Sequence, residues 1–546
     1  MADELEAFPT LGPADLATLE ALGARRAVSA GEYLFREGDP TYDFFVVLSG
    51  AIEVVGRTDD GERVVARHVR GRFVGELGLL NGLRVFLSAR VAEPGEVLVL
   101  PREALRRVFA TNPVMGDIIL RAFIARRARL LTEASGTVRI VGSRFSPEAL
   151  RVREFLARTS IPHEWLDADR DPAVAQILAE FGIGVADLPV VMAPGSVLRR
   201  ATPGSVAEYL GLTVDNIPDR CFDLVVVGGG PAGLAAAVYG ASEGLNTLGL
   251  EMTNAGGQAG SSSRIDNYLG FPTGISGNDL TQRAVVQAEK FGAQLTVPCA
   301  ATSLREEAGH ILVRLSDGSE VAARAVIAAS GAHYRRLDVA RLQDLEGNGV
   351  YYAATKMEQR QCAASPVVVV GGGNSAGQAA LFLAEGGSNV TIVIRGPDLG
   401  HSMSRYLVDR VEADPRIDLC ANTQVTALEG ADALSGVRLT SKDAEEVVAC
   451  VGLFSFVGAD PASQWLSGCA ALDEHGFVLT GAALGDDELD ERWGSLGRRP
   501  LPYETSFPGL FAVGDLRSGS TKRVATAVGE GSAAVRSVHE YLAFAH

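Results

Sequence analysis

VVVGGGPAG, residues Val225 to Gly233, is the stretch on which the fold of this chain turns. The apolar run Leu224 to Val227 predicts a buried strand, and Gly228, Gly230 and Gly233 follow at G-x-G-x-x-G spacing. LAAAVYGASEG then continues as a helix. The first glycine permits a tight turn, the second lets the backbone approach a pyrophosphate, and the third lets helix and strand pack closely. Free N–H groups at the helix start receive the anion. Glu251 closes the next expected strand, LGLE, where a carboxylate can accept from a ribose hydroxyl. A lone glycine fingerprint also fits an ordinary strand–helix turn, but strand, helix and acid together point to dinucleotide binding.

The chain has 546 residues, so several domains are expected, because single cores rarely exceed about 250–300 residues. A hydrophobic content of 47% with 21% charged residues fits a globular protein, and a net charge of −17 argues against nucleic-acid or anionic-membrane partners. No signal-peptide pattern and no bilayer-length apolar run is read, so the expected location is cytoplasmic. Cys221, Cys299, Cys362, Cys420, Cys450 and Cys469 form no C-x-x-C pair and no zinc spacing; reduced buried thiols and no metal are expected.

From about Ala27 to Leu100 the sequence is strand-rich, with turns expected at Glu37–Pro40, Ser49–Gly50 and Asp59–Gly61. Ile118 to Leu131 follows as an amphipathic helix with arginines on one side. YLFREGD, FFVVLSGAIEVV and FVGELGLL together resemble a cyclic-nucleotide-binding domain, a β-barrel or jelly roll. The resemblance implies Gly75 and Glu76 at the ribose and an arginine at the cyclic phosphate. Arg84 is the nearest candidate but comes one position early, and Arg90 lies beyond the expected place. A structural or dimerising domain is the alternative. Thr137 to Leu212 reads as β-α-β-α-β and looks like a thioredoxin or glutaredoxin fold. Ser146, Pro147, Glu148 and Ala149 stand where that family has C-P-x-C, and Pro189 stands where it has a cis-proline. Without a thiol the module is expected to dock or link, and GLTVDNIPDR (211–220) reads as a linker.

The region from Cys221 onward closely resembles thioredoxin reductase, a two-dinucleotide flavoprotein. AGGQAGSSSRIDNYLG carries Gly256, Gly257, Gln258 and Asn267, which the resemblance assigns to FAD. PVVVVGGGNSAGQAALFLAEGG is a second strand–turn–helix, with Gly371, Gly373 and Ala376 at G-x-G-x-x-A spacing. FAVGDLRSGSTKRVATAVGEG completes the flavin site by resemblance, with Asp515 toward the ribityl or phosphate region and Arg523 and Ala525 nearby. A helix from about Thr526 would aim its dipole at the flavin ring. Arg395 stands where an NAD site prefers a carboxylate and can pair a 2′-phosphate, so NADPH is the expected donor, with Arg405 as a second cation. A solvated surface arginine is the alternative.

Thioredoxin reductases carry C-A-T-C before the second fingerprint; the matching residues here are Ala353, Ala354, Thr355 and Lys356. No dithiol stands there to receive flavin electrons. Lys356 is then the candidate catalytic residue, stabilising reduced flavin or binding an anionic acceptor, or else it points to solvent. The expected layout is a barrel over 1–135, a thioredoxin-like module over 136–214 and two Rossmann-type α/β domains: FAD over 219–336 and 463–546, NADPH over 337–462. The expected protein is a homodimeric FAD-dependent NADPH oxidoreductase with a small-molecule or unidentified electron acceptor. A flavin- or nucleotide-responsive sensor is the second expectation. A disulfide reductase using other cysteines is the third.

Overall fold

The computed structural model describes all residues except 1–5, 59–60, 133–137, 215–216, 218–219, 263, 347, 432, 443 and 545–546. Four residues of the expected linker therefore lie outside the described residues, as do two of the three at the expected Asp59–Gly61 turn. The chain divides into two compact units. The first is Met1–Val227 with Ala237–Ala255 and Val285–Arg324; the second is Gly228–Ala236 with Gly256–Ala284 and Ala325–His546.

The first unit opens with helix α1 (Pro13–Glu20) and a sheet of β1 (Ala24–Val28), β2 (Tyr33–Phe35), β3 (Phe44–Thr58), β4 (Gly61–His68), β5 (Phe73–Val74) and β6 (Ser88–Leu100), with the short α2 (Gly78–Asn81) between β5 and β6. The order β1-β6-β3-β4 is antiparallel, β2 joins β6 and β5 joins β3. No turn forms at Ser49–Gly50. The long strand β3 runs through it, shifting register against β6 between Val47 and Ile52. Gly50 has φ +78°, and a Cβ there would lie 2.5 Å from the Glu93 carbonyl oxygen, so the glycine makes a bulge instead of a reversal. Helices α3 (Arg102–Thr111) and α4 (Pro113–Thr132) follow. The second starts five residues before the expected helix, and it sends Phe123 into a cluster with Phe44 and Phe73. Its arginines do not share a solvent face: Arg126 and Arg127 are buried.

Next come β7 (Arg139–Gly142), α5 (Pro147–Arg158), β8 (Glu164–Asp167), α6 (Pro172–Glu180), β9 (Val190–Ala193), β10 (Ser196–Leu198) and α7 (Pro203–Leu210). The sheet order is β10-β9-β7-β8, with β7 and β8 parallel and the other neighbours antiparallel. The expected β-α-β-α-β order is present, extended by β10 and α7. The Leu188–Pro189 bond is cis. Ser146 Oγ accepts the Ala149 N–H at 3.2 Å, so the residue in the first thiol position caps α5. β11 (Cys221–Val227), β12 (Thr247–Leu250) and β13 (Gln294–Thr296) run parallel, and β14 (Ala301–Glu307) and β15 (His310–Leu315) form an antiparallel meander with the start of β16 (Glu320–Ala328). Helix α8 (Pro231–Ser242) follows β11, while α9 (Gly257–Gly260) and α10 (Gly277–Phe291) precede β13.

In the second unit the end of β16 pairs in parallel with β27 (Leu510–Ala512), which precedes the long C-terminal helix α15 (Val524–Phe544). Between them, β17 (Ala332–Tyr334) pairs with β26 (Ala459–Pro461). A five-stranded parallel sheet has the order β18 (Val350–Tyr351), β25 (Gly452–Ser455), β19 (Pro366–Val370), β20 (Asn389–Val393) and β21 (Ile417–Cys420). Its helices are α11 (Lys356–Gln361), α12 (Asn374–Glu385) and α13 (Arg405–Ala413). A meander of β22 (Gln424–Glu429), β23 (Gly436–Thr440) and β24 (Glu445–Ala449) returns to it, and α14 (Glu491–Leu496) lies before β27. The central strand β19 reads as an unbroken valine run because both of its faces are covered. Among the described residues no helix is long and apolar enough to cross a membrane. Among the described residues no group of three or more His, Cys, Asp or Glu is placed to hold a metal ion.

Candidate functional site

The first glycine turn and three distant segments meet within the second unit. Gly228 has φ +110°, and a Cβ there would lie 2.3 Å from the Ala329 carbonyl oxygen; at Gly233 a Cβ would fall 1.8 Å from the Gly228 oxygen. Both positions are closed by the protein itself. Gly230 differs, since nothing lies closer than 4.0 Å to a Cβ built on it. Turn and helix are thus held tight around one open backbone position, the cradle a pyrophosphate requires. The Gly256 N–H donates to the Gly229 oxygen at 2.7 Å, and a Cβ on Gly257 would lie 2.9 Å from the Gly230 Cα. Gln258 is held by a bond from its side-chain amide to the Ala332 oxygen, while Asn267 is exposed. Glu251 follows β12 in the first unit, half-buried, with its carboxylate accepting from the Thr253 N–H at 2.9 Å.

The C-terminal segment closes on the same turn. A Cβ on Gly531 would lie 2.0 Å from the Ala232 oxygen, and one on Gly514 would lie 2.9 Å from the Ala232 Cβ. Glu530, buried in α15, joins the two parts: it accepts from the Gly514 N–H at 2.8 Å and pairs with Arg517 at 2.6 Å. Burial raises the Asp515 carboxyl above its ordinary value, opposed by Lys522, whose Nζ sits 3.8 Å from the Phe477 ring centroid. Arg523 and Ala525 are exposed around the start of α15, which begins two residues before its expected start. Glu530 and Arg517 escape motif reading. The available signal is an acid set between Gly529 and Gly531 in a helix of small residues.

At the second fingerprint, a Cβ on Gly371 would lie 2.4 Å from the Phe456 oxygen, whereas nothing lies within 4 Å of one on Gly373, and Ala376 is fully buried. The same pattern of closed turn and open approach recurs. The Gly371 N–H donates to Val393 at the end of β20, two residues before the exposed Arg395. Arg405 is exposed at the start of α13 and pairs with Asp409 at 2.6 Å, a contact that contributes little in water.

Ala353 to Lys356 lead into α11. The Glu358 carboxylate accepts from the Thr355 N–H at 2.8 Å and from the Thr355 hydroxyl, which ties the turn that starts the helix. Ala354 and Glu358 are buried and Lys356 is exposed. In the barrel, Gly75 and Glu76 line a cavity, but the carboxylate of Glu76 pairs with the buried Arg127 at 2.7 Å. Arg84 is not among the cavity's lining residues. It donates to the carbonyls of Tyr209 and, at 2.9 Å, Gly38, and lies over the Tyr209 ring.

The family described as pyridine nucleotide-disulphide oxidoreductase matches residues 222–531, and the cyclic nucleotide-binding domain matches residues 25–112. A thioredoxin reductase of Streptomyces clavuligerus is 32% identical over 324 residues, covering 59% of this chain and 94% of that protein. Among solved structures, thioredoxin reductase of Lactococcus lactis is 27% identical with a TM-score of 0.52, covering 59% of this chain and 99% of that one. That of T. acidophilum is 29% identical, also with a TM-score of 0.52, covering 59% of this chain and 98% of that one. The family uses FAD and NADPH, and both glycine cradles fit dinucleotides. The chain belongs to the pyridine nucleotide-disulphide oxidoreductase family, as a thioredoxin reductase-like flavoprotein oxidoreductase with an N-terminal cyclic nucleotide-binding domain.

Proposed function

We propose that the chain is an FAD-dependent NADPH oxidoreductase that delivers electrons to a non-thiol acceptor. The observation that carries this reading is the Ala353–Ala354–Thr355–Lys356 segment, which supplies no sulfur and instead starts a helix. None of the six cysteines is joined in a disulfide. Burial pushes the Cys362 thiol up to about 11 and Cys450 up to about 12, which leaves little thiolate at neutral pH. Bound FAD supplies hydride acceptance from NADPH and onward electron delivery. The chain's own part is to bind and orient: Gly230 and Gly373 admit the pyrophosphates, Arg395 pairs the 2′-phosphate, and Lys356 offers an exposed cation to an anionic acceptor.

The test is thiol alkylation of the FAD-loaded protein. NADPH oxidation by ferricyanide or a quinone should survive it, and protein disulfides should be poor substrates before and after, because disulfide reduction needs an attacking thiolate. Rapid disulfide reduction that alkylation abolishes would overturn the proposal and put a cysteine such as Cys362 in the relay. Nucleotide choice has its own check. Arg395→Ala should weaken NADPH by roughly 10- to 150-fold, the worth of a charge-assisted pair of about 1.5–3 kcal/mol, and leave NADH nearly unchanged. Equal losses in KM for both nucleotides would show that Arg395 does not read the 2′-phosphate.

A regulatory reading has one observation in its favour. Leu83 and Phe86 of the barrel pack in the same core as Val152, Phe155 and Leu210 of the thioredoxin-like module, a route by which a barrel ligand could be felt outside the barrel. Steady-state NADPH consumption with a panel of acceptors separates the two readings, since a sensor turns over slowly with all of them.

A further inference from the structure

The barrel holds a partly open cavity of about 70 Å³, lined mostly by apolar side chains including Phe8, Phe35, Val54 and Val74. That space is too small for a purine nucleotide, being roughly half the ~150 Å³ of an apolar cavity that admits benzene. Two further features oppose a cyclic nucleotide. Glu76 is paired with Arg127, and Arg84 is bound to Tyr209 and Gly38.

One side of the cavity is polar and incompletely satisfied. His68 lines it at 1% exposure, and its Nδ1 has no hydrogen-bond partner among the described residues. Burial lowers its pKa to about 3, so the ring is neutral at pH 7, and its Nδ1–H tautomer would present a donor to the cavity. Arg126, also lining the cavity, donates to the Ala7 oxygen at 2.8 Å, to the Phe73 oxygen at 3.1 Å and to the Gly75 oxygen. A guanidinium has five N–H donors. No carboxylate bonds to Arg126 among the described residues, although it is almost fully buried. Buried polar groups are ordinarily paired, and a buried charge most of all. A neutral imidazole with an unpartnered Nδ1, beside a buried cation whose hydrogen bonds among the described residues go only to carbonyls and under an apolar lining, has the complementary shape of a small acid.

We propose that this cavity binds a compact monocarboxylate, roughly two to five carbons long, with its carboxylate at His68 and Arg126 and its chain among Phe8, Phe35 and Val54.

The experiment is calorimetric titration of the full-length FAD-loaded protein with sodium formate, acetate, propionate, butyrate, hexanoate and octanoate, with butyramide and 3′,5′-cyclic AMP as controls. One site per chain is expected, tightest in the middle of the series. Butyramide should bind about 10-fold more weakly or worse, since a charged acceptor is lost, and cyclic AMP should give no heat. His68→Phe should weaken butyrate about 10-fold. Val54→Phe, which fills the cavity from the opposite chemistry, should abolish binding; it decides the matter if His68→Phe fails to melt cooperatively. Absence of binding by every carboxylate would overturn the proposal, as would equal affinity for butyramide, cyclic AMP competing with butyrate, or butyrate binding unchanged in the folded variants.

Discussion

Gly230→Val is expected to yield a folded protein that holds no FAD. A Cβ at this position has nothing closer than the Gly257 Cα at 4.0 Å, and Gly230 is not among the positive-φ residues, so the substitution carries little backbone strain. The valine would project into the space where the pyrophosphate approaches the backbone. FAD affinity should fall by about 100-fold or more, because several charge-assisted bonds of about 1.5–3 kcal/mol each are denied together. The check is the flavin-to-protein absorbance ratio after reconstitution, alongside far-UV circular dichroism. Gly233→Val is the contrasting control. Its Cβ would fall 1.8 Å from the Gly228 oxygen, so it should lose the fold and the flavin together. A yellow, stoichiometric Gly230→Val protein would show that the pyrophosphate lies elsewhere.

Glu530→Ala should destabilise the protein by about 3–5 kcal/mol, the usual consequence of removing one partner from a buried ion pair. Glu530 is 5% exposed and serves both the Gly514 N–H and the Arg517 guanidinium. Without it, Arg517 keeps a charge with no counter-anion, and the turn before Asp515 loses its tie to α15. Chemical denaturation of the FAD-free protein isolates the structural effect from flavin binding. A loss below about 1 kcal/mol would mean that water replaces the carboxylate and that the pair does not hold the C-terminal segment.

The glycine turns were legible in the sequence because their constraint is local. Gly228 needs a positive φ and Gly233 must sit against the turn, so strand, turn and helix are specified within one short stretch. Ser49–Gly50 shows where locality misleads. A glycine with positive φ serves a turn or a bulge equally well, and the pairing of β3 with β6 chose the bulge.

Periodicity and motif spacing therefore determined the α/β dinucleotide folds and the strand-rich N-terminal domain. Tertiary structure alone decided which side chains meet. It paired Glu530 with Arg517 and Gly514, turned Arg84 toward Tyr209 and away from the cavity, and buried Arg126 and Arg127 on a helix whose arginines read as one solvent face. The physical reason is that backbone conformation is set by near neighbours in the chain. The partner of a charged side chain is set by whichever donor, acceptor or apolar wall the fold carries to it from far along the sequence.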